Sequence, residues 1–291
     1  MQKIIWICHI RFIYLHCDYQ QQLNLNDMYK FPFGQEVHKL VQQDRSPKKV
    51  FVLGVYASAV HAKWKDKNGK LVCQALAVAS EPRIFWDGNE KEAAEIISEI
   101  HIPEELGSLE PAASNLNGPS AKVLDENVLA PLGFTRNDAW LCDLLPESRL
   151  NDNQIETIEK NYNPIRERYG LDEVTVPKRP KNFCDQKRCE EILAELEESK
   201  ADLLVLLGED ALTQFFNNVT GAKYNNLQKF VDENCYGKAI EASINGRTIK
   251  VLPLTHPRQI GALGLHSEEW HQMHQNWEQQ MRNNPNYYLE K

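Results

Sequence analysis

Two apolar runs at opposite ends of the chain constrain the fold most. KVFVLGVYASAVH, residues 49–61, breaks at Gly54, and IKVLPLTHPRQIG, residues 249–261, breaks at His256-Pro257. Runs this rich in Val, Leu and Ile read as strands buried on both faces. In an open α/β sheet, ligands bind outside the carboxyl ends of the strands. Both breaks therefore fall on one rim, one as a glycine-led turn and the other as a histidine loop.

The residues between them alternate in period. Residues 49–53, 72–79, 139–145, 202–207 and 248–253 read as strands from their apolar content. Asn68-Gly69 lies between the first two runs and is a tight-turn signal. Residues 91–100, 120–132, 155–169, 184–199, 209–216 and 267–281 carry helical spacing. Cys189, Ile192, Leu193 and Leu196 share one face, as do Trp270, His274 and Trp277. Gly133 stands where a glycine ends a helix, and residues 103–119 read as a loop. Strands separated by helices predict an α/β fold with a mainly parallel sheet and helices on both faces.

A chain of 291 residues that is 42% hydrophobic has enough apolar material for a substantial core. Its net charge of −8 argues against a surface built for indiscriminate DNA binding, although a local basic groove stays open, with Lys63, Lys65, Arg149 and Arg258 as candidates. Seven irregularly spaced cysteines without a C-x-x-C predict reduced thiols and a cytoplasmic protein. The first residues, MQKIIWICHIRFIYLHC, are too short and too polar to span a bilayer and lack a small-residue cleavage site. Residues 1–27 are expected to be a poorly ordered extension, with a membrane-surface anchor as the alternative. Residues 28–291 are expected to form one domain, and the protein to be a monomer.

Four segments, in this order, resemble the uracil-DNA glycosylase superfamily. LGVYASAVH (53–61) is similar to that family's strand and glycine-led first loop. NGPSAKVLDENVLAPLGFTRNDAWLCDLLPESR (117–149) is similar to a loop that opens a helix, followed by a Gly-x-x-Arg turn and a strand with a polar end. CEEILAELEESKADLLVLLGEDAL (189–212) is similar to the helix–strand–Leu-Gly–helix unit of bacterial branches, and VLPLTHPRQ (251–259) to the family's His-Pro motif. The resemblance implies a three-layer α/β/α sandwich around a short, mostly parallel central sheet. It also implies a pocket for a flipped base, with DNA or a nucleobase or nucleotide as partner.

Breaking an N-glycosidic bond puts positive charge on the sugar and negative charge on the departing base, and a water-excluded pocket with preset donors favours it. The base must first leave the stack. The resemblance implies that Gly54, Tyr56, Ala57, Asp143 and Phe85 bind the base. It assigns Ser58, His61, Arg258, Gln259 and Ile260 to the nucleic acid, with Ile260 as a wedge, and His256 to the departing base. Tyr56 and Ala57 stand where the family usually has Asp, Asn or Glu followed by Pro. A tyrosine supplies no carboxylate and is expected to stack or to donate one hydrogen bond. Asp143 stands where an Asn usually reads the base edge; an ionised Asp only accepts, which favours an edge rich in N–H donors. Glu81, ending a strand run, is the candidate for the missing carboxylate, against a solvated loop residue. Phe85 and Trp86 are stacking candidates or core aromatics.

Other constellations are weaker. His266, His271 and His274 lack a completing cysteine or acidic ligand, so no metal is expected. Cys142, Cys184 and Cys189 do not restore the iron–sulfur spacing of some relatives, so no cofactor is expected and the thiols read as buried. Glu209 and Asp210 form an ordinary acidic first helical turn. An α/β hydrolase is disfavoured because the chain has no G-x-S-x-G elbow. The expected function is a divergent base-excising DNA glycosylase; the alternative is a glycosylase-like module that binds a nucleotide or modified base without cleaving it.

Overall fold

A computed structural model describes residues 29–263 and 267–290. The expected extension over residues 1–27 and His266 lie outside the described residues. The chain forms a mixed α/β protein with a five-stranded, mostly parallel sheet and a three-stranded antiparallel sheet.

The larger sheet has the order β5-β1-β6-β8-β7. Strand β1 (Val50–Tyr56) lies parallel to β5 (Ala139–Leu145) on one side and to β6 (Leu203–Leu207) on the other. β6 in turn pairs in parallel with β8 (Arg247–Leu254). β1 and β6 are apolar along their length because both faces are covered, while β5 carries Asp143 and β8 exposes Thr248 and Lys250 before its buried end. Phe51, Leu53, Trp140, Cys142 and Leu206 pack with Ile192 and Leu196 of the helix Gln186–Ser199. The alternate residues Val50, Val52, Leu141 and Val205 pack with Leu124, Val128, Trp277 and Met281. The period-2 alternation of side chains across a strand splits the core into these two clusters.

The antiparallel sheet, order β3-β2-β4, was less legible. β2 (Ala59–Lys65) follows β1 after only Ala57 and Ser58, and pairs with both β3 (Leu71–Ser80) and β4 (Ser108–Pro111). The Asn68-Gly69 turn joins β2 to β3 as expected, with Asp66 Oδ1 accepting from the N–H groups of Asn68 (2.8 Å) and Lys70 (2.9 Å). β4 lies inside the stretch expected to be a loop. β7 (Ile240–Ile244) is a further addition; it forms a hairpin with β8. The signal that marks it is Asn245-Gly246, which turns with φ of 50° and 78°, the left-handed pair that a two-residue hairpin needs.

The helices match the apolar spacing with shifted ends. Helix α1 (Glu90–Ser98) is capped by Asn89, whose side chain accepts from the N–H groups of Lys91 and Glu92. Helix α2 (Asp152–Asn161) begins in a reciprocal cap between Asn151 and Gln154, and a separate short helix follows at Asn163–Arg166 where one longer helix was expected. Helix α3 (Gln186–Ser199) starts after its cap Asp185. Helix α4 (Glu268–Asn283) closes the fold. Leu124–Leu129 and Ala211–Phe216 are π-helical rather than plain α-helical. Among the described residues, no helix is long and apolar enough to cross a membrane.

Candidate functional site

Strand register assembles the site. The parallel pairing of β1 with β5 sets Gly54 opposite Asp143 at the carboxyl edge of the sheet. A Cβ on Gly54 would stand 2.2 Å from Asp143 Oδ1 and 2.7 Å from Phe85 Cζ, so only glycine lets both side chains close over this strand. The β6–β8 register pairs Leu207 with Leu254, which brings Gly208 beneath His256. Gly208 has φ +98°, and an added Cβ would lie 3.2 Å from His256 Cβ.

Glu81 arrives by a different route. The β2–β3 hairpin folds back so that Ser80 pairs with Ala59, which places Glu81 beside the short Ala57-Ser58 connection. Phe85 follows in a left-handed turn of φ 48°. The loop carrying it crosses Asn117 and Gly118 so closely that a Cβ on Gly88 would meet Asn117 O at 2.0 Å. Asn117 in turn holds the edge of β2, accepting from His61 N (2.8 Å) and donating to His61 O (3.0 Å).

These elements enclose a cleft of about 690 Å³. Gly54, Tyr56, Ala57, Ser58, His61, Glu81, Phe85, Asp143, His256 and Arg258 all line it. Two expected residues do not. Ile260 is 3% exposed and packs in the core with Leu124 and Trp277, so the wedge role is withdrawn: its side chain serves the hydrophobic interior. Gln259 accepts the Thr255 hydroxyl at 2.5 Å and braces the histidine loop from within.

The charged groups in the cleft are perturbed mainly by burial. Glu81 and Asp143 are each 4% exposed. Burial, and then the charge of Asp143, push the Glu81 carboxyl up to about 8. Burial also raises Asp143 to about 7; Arg188 pulls it down and Glu195 pushes it up. Glu81 is thus a buried carboxylic acid at neutral pH and no solvated loop residue. Asp143, expected as a plain acceptor, is close to half protonated there, because a carboxylate loses its hydration in this pocket.

His256 caps its own short helix, its Nδ1 accepting from Arg258 N at 3.2 Å. The remaining proton therefore sits on Nε2. Burial, with the Arg258 charge adding to it, lowers its pKa to about 4, so the ring is a neutral donor. His61 is also neutral, lowered to about 4 chiefly by burial. Gln154 Oε1 accepts from Asn151 N, which leaves the Gln154 amide nitrogen to donate to His61 Nε2 at 2.9 Å. His61 is thereby tied to α2 as well as lining the cleft.

Tyr56 stacks on Phe183, with centroids 5.9 Å apart and planes 9° apart. Arg188, on α3, donates to Asp143 O (2.7 Å) and Leu144 O (3.1 Å), and so fixes the end of β5. Neither Phe183 nor Arg188 was legible as part of the site; both belong to a region that reads as an ordinary amphipathic helix and its approach. Arg149 and Arg179 also line the cleft. Lys63 and Lys65 instead both pair with Glu110, at 3.0 and 2.7 Å.

His271 and His274 are structural. His271 Nδ1 lies 2.5 Å from Ile260 O. His274 bridges the Tyr236 hydroxyl and Asn127 O, each at 2.9 Å, and Thr255 N donates to that same hydroxyl at 3.3 Å. This buried chain supports the loop that carries His256. Cys184 and Cys189 are free thiols with sulfur atoms 2.7 Å apart, and Arg188 Nη2 lies 3.2 Å from Cys142 Sγ. Among the described residues, no group of three or more His, Cys, Asp or Glu side chains is placed to hold a metal ion.

No protein-family model matches the chain, and no curated protein matches it.

Proposed function

We propose that the cleft takes a nucleobase turned out of a DNA strand and that the protein hydrolyses its N-glycosidic bond, as a divergent uracil-DNA-glycosylase-like enzyme on a three-layer α/β/α sandwich. The observation that carries this reading is the convergence of Gly54, Tyr56, Glu81, Phe85, Asp143 and His256, from four separate segments, on one cleft. Phe85 offers a ring to the base and Asp143 a polar edge. As the bond to the sugar stretches, negative charge gathers on the base. The Nε2–H of His256 and the acid proton of Glu81 are donors preset for it in a buried site. Water then adds to the sugar cation, and the base leaves with a proton.

One observation favours a second reading, a pocket that binds without cleaving. The first loop offers Tyr56, stacked on Phe183, and no carboxylate for the sugar side. A single assay separates the two. The purified chain is incubated with single- and double-stranded oligonucleotides carrying uracil, hypoxanthine or xanthine and then treated with alkali. Scission that is lost in His256→Ala supports hydrolysis. No scission with retained binding sinks it in favour of the binding module.

A further inference from the structure

Two acidic side chains line the cleft together with Arg149, Arg179 and Arg258, and among the described residues neither is in an ion pair. Glu81 follows the end of β3 and Asp143 lies on β5; both are 4% exposed and both line the cleft. Among the described residues, neither carboxylate has a Lys, Arg or His nitrogen within 4.0 Å. The groups that face them are few. Glu81 meets Asp143, the more distant guanidinium groups of Arg136 and Arg83, and the Trp86 N–H. Asp143 meets Arg188 and Glu195 of α3. Arg188 is itself engaged by Glu191 at 3.0 Å and by Glu195 at 3.5 Å, so its charge is largely spent on α3. His256 is neutral and brings no compensating charge. Two buried carboxylates that line one cleft cannot both ionise cheaply.

We propose that Glu81 and Asp143 hold one proton as a pair, and that this proton sets which base edge the cleft accepts. The inference rests on the nucleobase reading and sharpens it. In the singly protonated pair, Glu81 presents an O–H donor and Asp143 an acceptor. The matching ligand edge is a carbonyl oxygen next to a ring N–H, the edge of a lactam or imide. Once the proton is lost, the pair offers acceptors only, and the matching edge becomes one with amino donors. Asp143 alone, as a bare carboxylate, favours the amino edge; the proton on Glu81 reverses that preference. The same proton lies where charge develops on a departing lactam oxygen, so recognition and charge stabilisation use one group.

The test has two independent arms on the full chain. The first is infrared spectroscopy of the unliganded protein at pH 7. A carbonyl band of a buried protonated carboxylic acid is expected, and in Glu81→Gln it should weaken to what the half-protonated Asp143 alone contributes. Absence of such a band in the wild type overturns the shared proton. The second arm measures binding of four free bases, uracil against cytosine and hypoxanthine against adenine, between pH 7.5 and 8.5. Over this range Asp143, at about 7, is mainly ionised, while the protonated fraction of Glu81, at about 8, drops from roughly three-quarters to roughly a quarter, so lactam preference should fall about threefold. In Glu81→Gln, whose amide keeps a donor at every pH, the preference should stay level. A wild-type preference that holds level while the bases still bind overturns the specificity role. So does a Glu81→Gln variant that keeps the wild-type slope. If the band is present and none of the four bases binds at any pH, the nucleobase reading fails and takes the specificity with it.

Discussion

Replacing Glu81 by Gln should make the folded protein more stable, by an amount that grows with pH. The unfolded carboxyl titrates near 4.5 and the folded one at about 8. Because the folded value is the higher one, this group's contribution is fully present below pH 4.5 and is lost as pH rises toward 8. Each pH unit in that window removes about 1.4 kcal/mol. At pH 5 the loss is under about 1 kcal/mol, and by pH 8 it reaches about 4 kcal/mol. Glutamine has no charge to bury, keeps nearly the same shape, and can still donate and accept. Asp143 acts in the same sense, rising from 3.8 to about 7, so the cleft as a whole strains the fold at neutral pH. Against a typical domain stability of about 5–15 kcal/mol, a strain of this size fits a site kept for function at a cost in stability. Guanidinium unfolding of wild type and Glu81→Gln at pH 5 and pH 8 measures it, with equal m-values required for the comparison. A stability difference that does not grow with pH, or a variant less stable at pH 8, refutes the reasoning, because either result means that the wild-type carboxyl is not forced to ionise in a dry pocket.

Other substitutions test the geometry around this pair. Gly54→Ala puts a methyl group onto Asp143 Oδ1 and the Phe85 ring; the crowding should cost about 1–3 kcal/mol in thermal or chemical unfolding and abolish ligand binding. Arg188→Met leaves Glu195 uncompensated and two β5 carbonyls without their donor; a loss of about 3 kcal/mol is expected, and a near-neutral unfolding midpoint would contradict the role given to Arg188. Ile260→Ala should cost about 2–4 kcal/mol as a core cavity, while oligonucleotide affinity per folded molecule stays unchanged; a selective drop in affinity at constant stability would restore the wedge.

Much of the framework was readable from local pattern. The apolar runs marked β1, β5, β6 and β8, because strand segments covered on both faces are apolar on successive positions. Asn68-Gly69 marked one hairpin, and the apolar face of Cys189, Ile192 and Leu196 marked α3. β2 was harder. AVHAKWK alternates buried and half-buried positions, yet it follows β1 so directly that it reads as the loop after a strand. The π-helical turns at Leu124–Leu129 and Ala211–Phe216 carry no local signal, since a change of helical pitch depends on what the turn packs against.

The sequence by itself determined that strand ends with a glycine turn and a histidine loop would share a rim, and it named Gly54, Asp143 and His256 as rim residues. Only the tertiary structure decided what that rim is made of. Strand register brought Gly54 beside Asp143, the hairpin return brought Glu81 next to Ser58, and packing set Phe183 on Tyr56 while burying Ile260. The protonation states were decided there too. Glutamate and aspartate have the same intrinsic chemistry wherever they occur in a chain; loss of water and the nearness of a like charge, both properties of the folded cleft, are what raise the Glu81 carboxyl to about 8 and that of Asp143 to about 7.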